Sequence, residues 1–283
     1  MKKILLCTDG SEYSQVCASY AAEVVEATGA TLDAVYVTDL RQFEVPLISD
    51  LSGSLGIQPY QGMLSQLKEI EGEKARVLEE NVREVFRQRG VEEKVSFHHK
   101  TGLLVDSLED LEKGADLVML GKRGENADFA TEHLGSTMER VVRASKKPCL
   151  VTSRSYQPIE RALLAYDGGP SARKALSFLT DNPYYRKFSL HVVIVCEDPD
   201  KEEKAAGHLE EAEKTLRDGG LTDIRCQMLH GTPEDTIAQY VLDEDMELLI
   251  MGAYGHSRIR HLFIGSTTTE MIRRCKIPVL LFR

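Results

Sequence analysis

No apolar run in the chain approaches the roughly 20 residues that a membrane span requires, and the N-terminus lacks the apolar stretch of a secretory signal. These absences predict a cytoplasmic protein without a membrane span. Basic residues are in the minority: 35 Lys and Arg stand against 45 Asp and Glu, a formal net charge of −10. A general nucleic-acid binder carries the opposite excess, which argues against that class. The six cysteines, at positions 7, 17, 149, 196, 226 and 275, form no C-x-x-C pair. Buried free thiols in a reducing compartment are the simplest reading, with metal or disulfide roles as the alternatives. Neither a G-x-S-x-G elbow nor a Walker A lysine motif occurs. His98 and His99 are neighbours in a strand-like segment, so they point to opposite faces and do not readily share a metal. His256 and His261 bring no third ligand with them. No metal site and no catalytic residue is assigned.

What the chain does have is a glycine pattern that occurs twice. Gly252, Gly255, Gly265 and Ser266 stand as G-x2-G-x9-G-S. Gly121, Gly124, Gly135 and Ser136 repeat it, with ten residues instead of nine in the second gap. Each copy follows a short apolar run, Leu117–Leu120 or Leu248–Met251, and precedes a helical stretch and a proline-led apolar run at Pro148 or Pro278. A strand, a glycine loop and a helix N-terminus together make a device for holding phosphate. The fronts of the halves match as well: the apolar runs ending in Asp9-Gly10 and Asp167-Gly168 each lead into a helical pattern. Val16, Tyr20, Val24 and Ala27 make one apolar face in the first of these helices, with Ser11 or Ser14 as its N-cap. Ala172, Ala175, Leu176 and Leu179 make the face in the second, with Pro170 at its first position.

The repeat implies two domains, 1–154 and 159–283, joined at Arg154–Pro158. That joint is too short to act as a free tether, so the halves should pack together. Strands are expected at 3–8, 31–37, 94–100, 116–120 and 148–152, then at 161–166, 188–195, 223–229, 247–251 and 278–282. Apolar strands alternating with helices predict an α/β class: two tandem open, mostly parallel five-stranded sheets with helices on both faces. The first half carries an insertion at about 40–66. Residues 40–60 read as an irregular loop. After it comes an amphipathic helix bearing Leu64, Leu67, Ile70, Ala75, Leu78, Val82, Val85 and Phe86. The insertion is either a surface loop with a core-facing helix, or a lid or partner contact.

Asp-Gly-Ser after the first strand, G-x2-G-x9-G-S after the fourth and a proline-led last strand together resemble the universal stress protein family. The stretch Leu134-Gly135-Ser136-Thr137-Met138-Glu139-Arg140-Val141 is especially similar to the start of that family's fourth helix. The resemblance covers nearly the whole chain, once per half, as in a tandem member. It implies a Rossmann-like sheet of the adenine nucleotide alpha hydrolase kind. It also implies adenine-nucleotide binding (ATP, AMP or a relative, with or without Mg), which many members show and others have lost. Pairing of last strands across a dimer is common in the family, so the halves are expected to pair within one chain, with a homodimer as a further expectation.

In an open α/β sheet, ligands sit at the carboxyl ends of the strands where the strand order reverses. If the first and fourth strands of each half are neighbours, Asp167 and Gly252 meet there. Gly252 and Gly255 would let the backbone approach phosphate, and Gly265 and Ser266 would open a helix whose dipole favours an anion. Ser266, Thr267 and Thr268 would add hydroxyl donors, and His256 and Arg258 positive charge. By the family resemblance, Ala165, Tyr166, Asp167, Val195 and Met251 would surround adenosine. Asp167 has the alternative role of capping its own turn. The first-half counterparts are Asp9, Val37, Leu120, Gly121, Gly124, Gly135, Ser136 and Thr137. There the longer gap and the acids Glu125, Asp128 and Glu132 weaken the case, so the second half is expected to be the stronger site. The expected function is a nucleotide-dependent regulatory or stability switch in the stress response. A slow ATPase and an interaction module with vestigial sites are the alternatives.

Overall fold

The computed structural model describes residues 1–39, 59–124, 135–253 and 266–283. In chain order the first half runs β1 (Lys3–Cys7), α1 (Glu12–Thr28), β2 (Thr31–Thr38), α2 (Pro59–Gln88), β3 (Val95–Thr101), α3 (Leu104–Leu111), β4 (Leu117–Gly121), α4 (Ser136–Ala144) and β5 (Cys149–Thr152). The second half runs β6 (Arg161–Ala165), α5 (Pro170–Asp181), β7 (Ser189–Cys196), α6 (Glu202–Asp218), β8 (Ile224–His230), α7 (Pro233–Asp243), β9 (Leu248–Gly252), α8 (Ser266–Arg274) and β10 (Val279–Phe282). Every expected strand is present to within a residue at either end.

The two five-stranded units are not separate sheets. The order is β3-β2-β1-β4-β5-β10-β9-β6-β7-β8, a single ten-stranded sheet. All neighbours are parallel except β5 and β10, which pair antiparallel with Leu150 opposite Leu280. Strand order reverses between β1 and β4 and again between β6 and β9, giving one switch point per half. Alternate strand residues feed two cores. Ile4, Leu6, Leu164 and Leu280 pack under α1, α2, α5 and α6. Leu5, Val118, Leu163 and Leu281 pack under α3, α4, α7 and α8. Burial on both faces is why the strands read as unbroken apolar runs. The same carboxylate staple starts each half: Asp116 accepts from the main-chain N–H of Lys2 and Lys3, and Glu247 from those of Glu160 and Arg161.

Ser11 is the N-cap of α1, accepting from the Ser14 N–H at 3.2 Å. The buried face of α1 differs from the expected one. Tyr20 and Val24 are buried, but Val16 is only half-buried and Ala27 is exposed. The innermost residues are Cys17, Ala18, Ala21, Ala22 and Val25. Small side chains let the helix lie close to the sheet, a factor that hydrophobicity alone under-weights. On α5 the expected face, Ala172, Ala175, Leu176 and Leu179, is buried as read, and Pro170 opens the helix. All six cysteines are free.

The loop of the insertion lies outside the described residues. Its helix, α2, buries Ala75, Leu78, Val82 and Phe86, while Ile70 is 60% exposed. The reason is length. Thirty helical residues span about 45 Å, whereas an eight-residue strand covers about 26 Å, so the N-terminal part of α2 has less sheet to lie on.

Beside the sheet, the halves are joined by a half-buried polar cluster. The Glu23 carboxylate, on α1, accepts from the Tyr156 hydroxyl at 2.8 Å, the Tyr184 hydroxyl at 3.1 Å and Lys187 Nζ at 2.9 Å. Tyr184 and Lys187 belong to the second half. Burial alone would raise the Glu23 pKa, but the donors from Lys187, Tyr156 and Tyr184 outweigh it and hold the carboxyl below its ordinary value. A depressed folded-state pKa stabilises the fold above the unfolded value, and that stability is lost as pH falls through the folded one. Glu23→Gln should therefore cost roughly 1–3 kcal/mol at pH 7. In urea denaturation the gap between parent and variant should close as pH drops below about 4.5. A gap that stays constant in acid would show that the charge is not what matters.

Candidate functional site

Each switch point opens at the carboxyl edge of the sheet. In the first half the chain leaves β1 through Asp9 and Gly10, the latter at φ 86°. Asp9 Oδ1 accepts from the Ser11 N–H at 3.0 Å. In the second half Gly168 has φ 69°, and Asp167 Oδ1 accepts from the Gly169 N–H at 2.8 Å. Both aspartates thus brace their own turns, the alternative role weighed for Asp167. The other oxygen of Asp9 lies by the segment that follows the fourth strand: a methyl group at Gly124 would stand 2.6 Å from Asp9 Oδ2. Asp9 and Gly124, far apart in sequence, therefore meet in one crevice.

The apolar residues expected around adenosine divide between the two faces. Ala165, Val195 and Met251 belong to the core on the α7 and α8 side, as Val37 and Leu120 do on the α3 and α4 side. Met251 lies directly beside Ala165 in the sheet register. Tyr166 differs. Its ring is buried in the opposite core, the one that also holds the α5 residue Ala172, and its main-chain N–H is bonded to Val193 O. Tyr166 therefore presents main chain, not its ring, to the crevice.

The first glycine of each motif fits tightly against a helix. A methyl at Gly121 would stand 2.7 Å from Tyr13 Cβ and 3.0 Å from the Tyr13 carbonyl carbon, and one at Gly252 would stand 3.1 Å from Ser171 Cβ. What demands glycine here is the close approach of α1 to β4 and of α5 to β9. Room for a phosphate is a separate matter. Of the second and third glycines, Gly255 and Gly265 lie outside the described residues, with His256 and Arg258. Gly135 is the N-cap of α4 and forms no side-chain capping bond. Ser136 and Thr137 behind it are exposed. The first turn of α4 therefore presents main-chain N–H groups and two hydroxyls at the crevice, the arrangement that favours an anion.

The first turn of α8 is more occupied. The buried Thr268 hydroxyl donates to Ala253 O at 3.1 Å. A hydroxyl has one proton, and here that of Thr268 ties α8 to the end of β9, a structural role beside the ligand contact expected from sequence. The Thr267 hydroxyl donates to the carboxylate of Glu234, in the first turn of α7. Among the described residues no cation pairs with Glu234. Glu234 escaped the sequence reading, although its place as a first-turn acid after Thr232-Pro233 was a usable signal. In the first half β3 is followed by Gly102, and in the second β8 by Gly231, both at positive φ, 136° and 131°. Three residues on from each stand Val105 and Glu234. At this matched position, among the described residues, the second half has a carboxylate where the first has none.

Lys122 stands just after Gly121. It does not face the crevice of its own half. Its Nζ donates to Cys275 O at 2.9 Å and to Arg273 O at 3.4 Å, at the far end of α8. Burial, chiefly, lowers its pKa to about 8. His98 and His99 stand apart as expected: His99 bonds Thr38, and His98 faces Asp33. Among the described residues no group of three metal-ligating side chains occurs, and no helix is long and apolar enough to cross a membrane.

A family model described as the universal stress protein family matches residues 1–153 and again 158–283. A universal stress protein of Synechocystis sp. is 42% identical over 290 residues, spanning all of both chains. The crystal structure of a universal stress protein from Archaeoglobus fulgidus superposes with a TM-score of 0.73 at 23% identity, over 99% of this chain and 95% of that one. A chain from Pseudomonas aeruginosa superposes with a TM-score of 0.61 at 16% identity, over 99% and 92%. At those identities the two structures speak for the fold alone.

The glycine geometry sets an order of damage. Gly121→Ala drives a methyl into helix backbone and should cost roughly 1–3 kcal/mol, the usual range for overpacking. Gly252→Ala meets a serine side-chain carbon at a longer distance and should cost less. Urea denaturation without ligand measures both. A larger loss in Gly252→Ala would refute the packing role argued for these glycines.

Proposed function

The chain belongs to the universal stress protein family in tandem form, and from that premise we propose that its two crevices bind adenine nucleotide, ATP or AMP, with or without Mg. In this reading occupancy acts as a regulatory or stability switch in a cytoplasmic stress response. The units that carry the sites are taken as 1–154 and 159–283. The observation that carries the reading is a convergence. At each point where the strand order reverses, an aspartate turn, an apolar floor and the N-terminus of a short helix meet at the carboxyl edge of the sheet. Asp9 with Val37, Leu120, Gly124 and Gly135 supports it in the first half. Asp167 with Ala165, Val195 and Met251 supports it in the second.

The chemistry of these groups favours holding over turnover. Phosphoryl transfer needs positioned bases and metal ligands around the reacting phosphate; the aspartates of the two crevices accept bonds from their own turns, and the other groups are backbone donors, hydroxyls and apolar walls. A ligand that binds only the folded state adds about 2.7 kcal/mol of stability at a hundredfold excess over Kd. Sequence spacing favours the second half as the stronger site. Against that ranking stands Glu234, whose charge lies beside the first turn of α8.

ATP in that excess should raise the melting temperature by roughly 5–10 °C and be recovered intact by chromatography after hours. Steady accumulation of ADP would move the protein to the slow-ATPase reading. No thermal shift with ATP, ADP or AMP would leave the interaction-module reading in its place. In the same assay Glu234→Gln keeps an acceptor for Thr267 and removes the charge, so it should tighten ATP several-fold by relieving like-charge repulsion of about 1 kcal/mol. Weaker binding in that variant would mean that Glu234 assists the ligand.

A further inference from the structure

Lys122 joins the two halves in a way the repeat does not call for. Its main-chain N–H donates to Thr152 O at 2.9 Å, and its carbonyl accepts from the Gly135 N–H at 3.3 Å. Those bonds fix it to β5 and to the start of α4, beside the first crevice. Its side chain leaves that half and ends on the carbonyls of Arg273 and Cys275. These carbonyls close α8, where the last turn leaves oxygens without helical partners. A lysine there satisfies them and places positive charge at the negative end of the helix dipole.

The helix's own last-turn cations do not serve this purpose in the bonds they form. Arg274 is engaged by Asp235 and Glu270, and Arg273 by Glu270. The first half's short helix is capped in return, since Arg283 Nη1 donates to Arg143 O at 2.8 Å. There, however, Glu112 also holds the end of α4, accepting from the Ser145 hydroxyl and the Lys146 N–H. In the second half the residue after Gly252 is Ala253, so the Lys122 arrangement has no mirror image.

Helix α8 has nine residues, about 13 Å of length. Thr268 pins its N-terminal end to β9, and Lys122 pins its C-terminal end to the other half. We infer that Lys122 is a positioning residue for the second half's crevice, supplied by the first half. It fixes the axis of α8, whose N-terminus borders that crevice, while its own backbone is bonded into the wall of the first crevice. The second site is thus incomplete without the first half. The ligand part of this inference rests on the nucleotide reading above; the positioning of α8 does not.

The test uses the full chain with Lys122→Met, which keeps the length and loses the donors, and Lys122→Arg, which restores a cation. Amide hydrogen exchange is followed peptide by peptide, first alone and then across an ATP titration, so that each crevice reports its own half-saturation. In Lys122→Met, α8 should exchange about tenfold faster, as expected for losing a charged hydrogen bond, with α4 unchanged. ATP half-saturation at the second crevice should rise roughly three- to tenfold, with the first crevice unaffected. Lys122→Arg should recover most of both effects. Unchanged α8 exchange overturns the inference. Faster exchange with unchanged half-saturation also overturns it, because the residue is then a clamp with no bearing on the site. If ATP protects neither crevice in the parent protein, the nucleotide reading falls. In that case α8 exchange alone decides the positioning: faster exchange rescued by arginine upholds it, and an unchanged rate refutes it.

Discussion

The antiparallel pairing of β5 with β10 is the contact on which the rest of the architecture depends. Both strands are fully buried runs of four residues. Left unpaired, each would present an apolar edge with free N–H and C=O groups, a template for aggregation. Paired, they turn two open sheets into one and carry both cores across the join. Phe282 and Leu280 lie in the same core as Ile4 on one face, and Leu281 in the same core as Leu5 on the other. The outer strands are different in character. β3 is mostly exposed beyond Val95, and β8 is nowhere fully buried. The sheet hides its apolar edges in the middle and ends in polar ones.

Around that join, the two halves keep the same order of strands and, apart from the first half's insertion and longer α2, differ at individual positions beside the crevices. The carboxylate staples at Asp116 and Glu247, the aspartate turns after β1 and β6 and the glycines packed against α1 and α5 occur in both. Glu234 faces the first turn of α8, where the first half has Val105. Lys122 reaches across the join, where the second half has Ala253. Each change alters the charge next to a helix end, where a unit charge has its largest effect on an anion or on the dipole. Among the described residues, the divergence at these two positions is therefore one of electrostatics.

Much of this was legible in the sequence. Strands such as Val192-Val193-Ile194 and Leu117–Leu120 are short, apolar and rich in β-formers, so their positions follow from local pattern. The repeat marked the two halves, and placing strands one and four side by side put the aspartate turn and the glycine loop of a half at one crevice, as Asp9 and Gly124 are found. What local pattern could not show were contacts made at long range by polar atoms. Glu23 gathers donors from residues 156, 184 and 187. Lys122 finds its acceptors about 150 residues away. Nor could it rank small against large side chains on α1, where Cys17, Ala18 and Ala21 take the inner face because the distance to the sheet is short. Thr268 illustrates the same limit, since a threonine at a helix start reads as a donor to ligand, and its bond to the Ala253 carbonyl is seen only in the structure.

The short joint between the halves changes the arithmetic of assembly. Two separate chains that paired through their last strands would do so by collision, and dilution would part them. Tied by the few residues from Ser153 to Glu160, the same surfaces meet at an effective concentration on the order of millimolar, whatever the amount of protein in solution. The pairing becomes a folding step, not an equilibrium between molecules. Neither half then has to recognise a copy of itself, so the residues at the join are free to become unlike. The one-sided reach of Lys122 is a contact that two identical chains, related by symmetry, would have had to make twice.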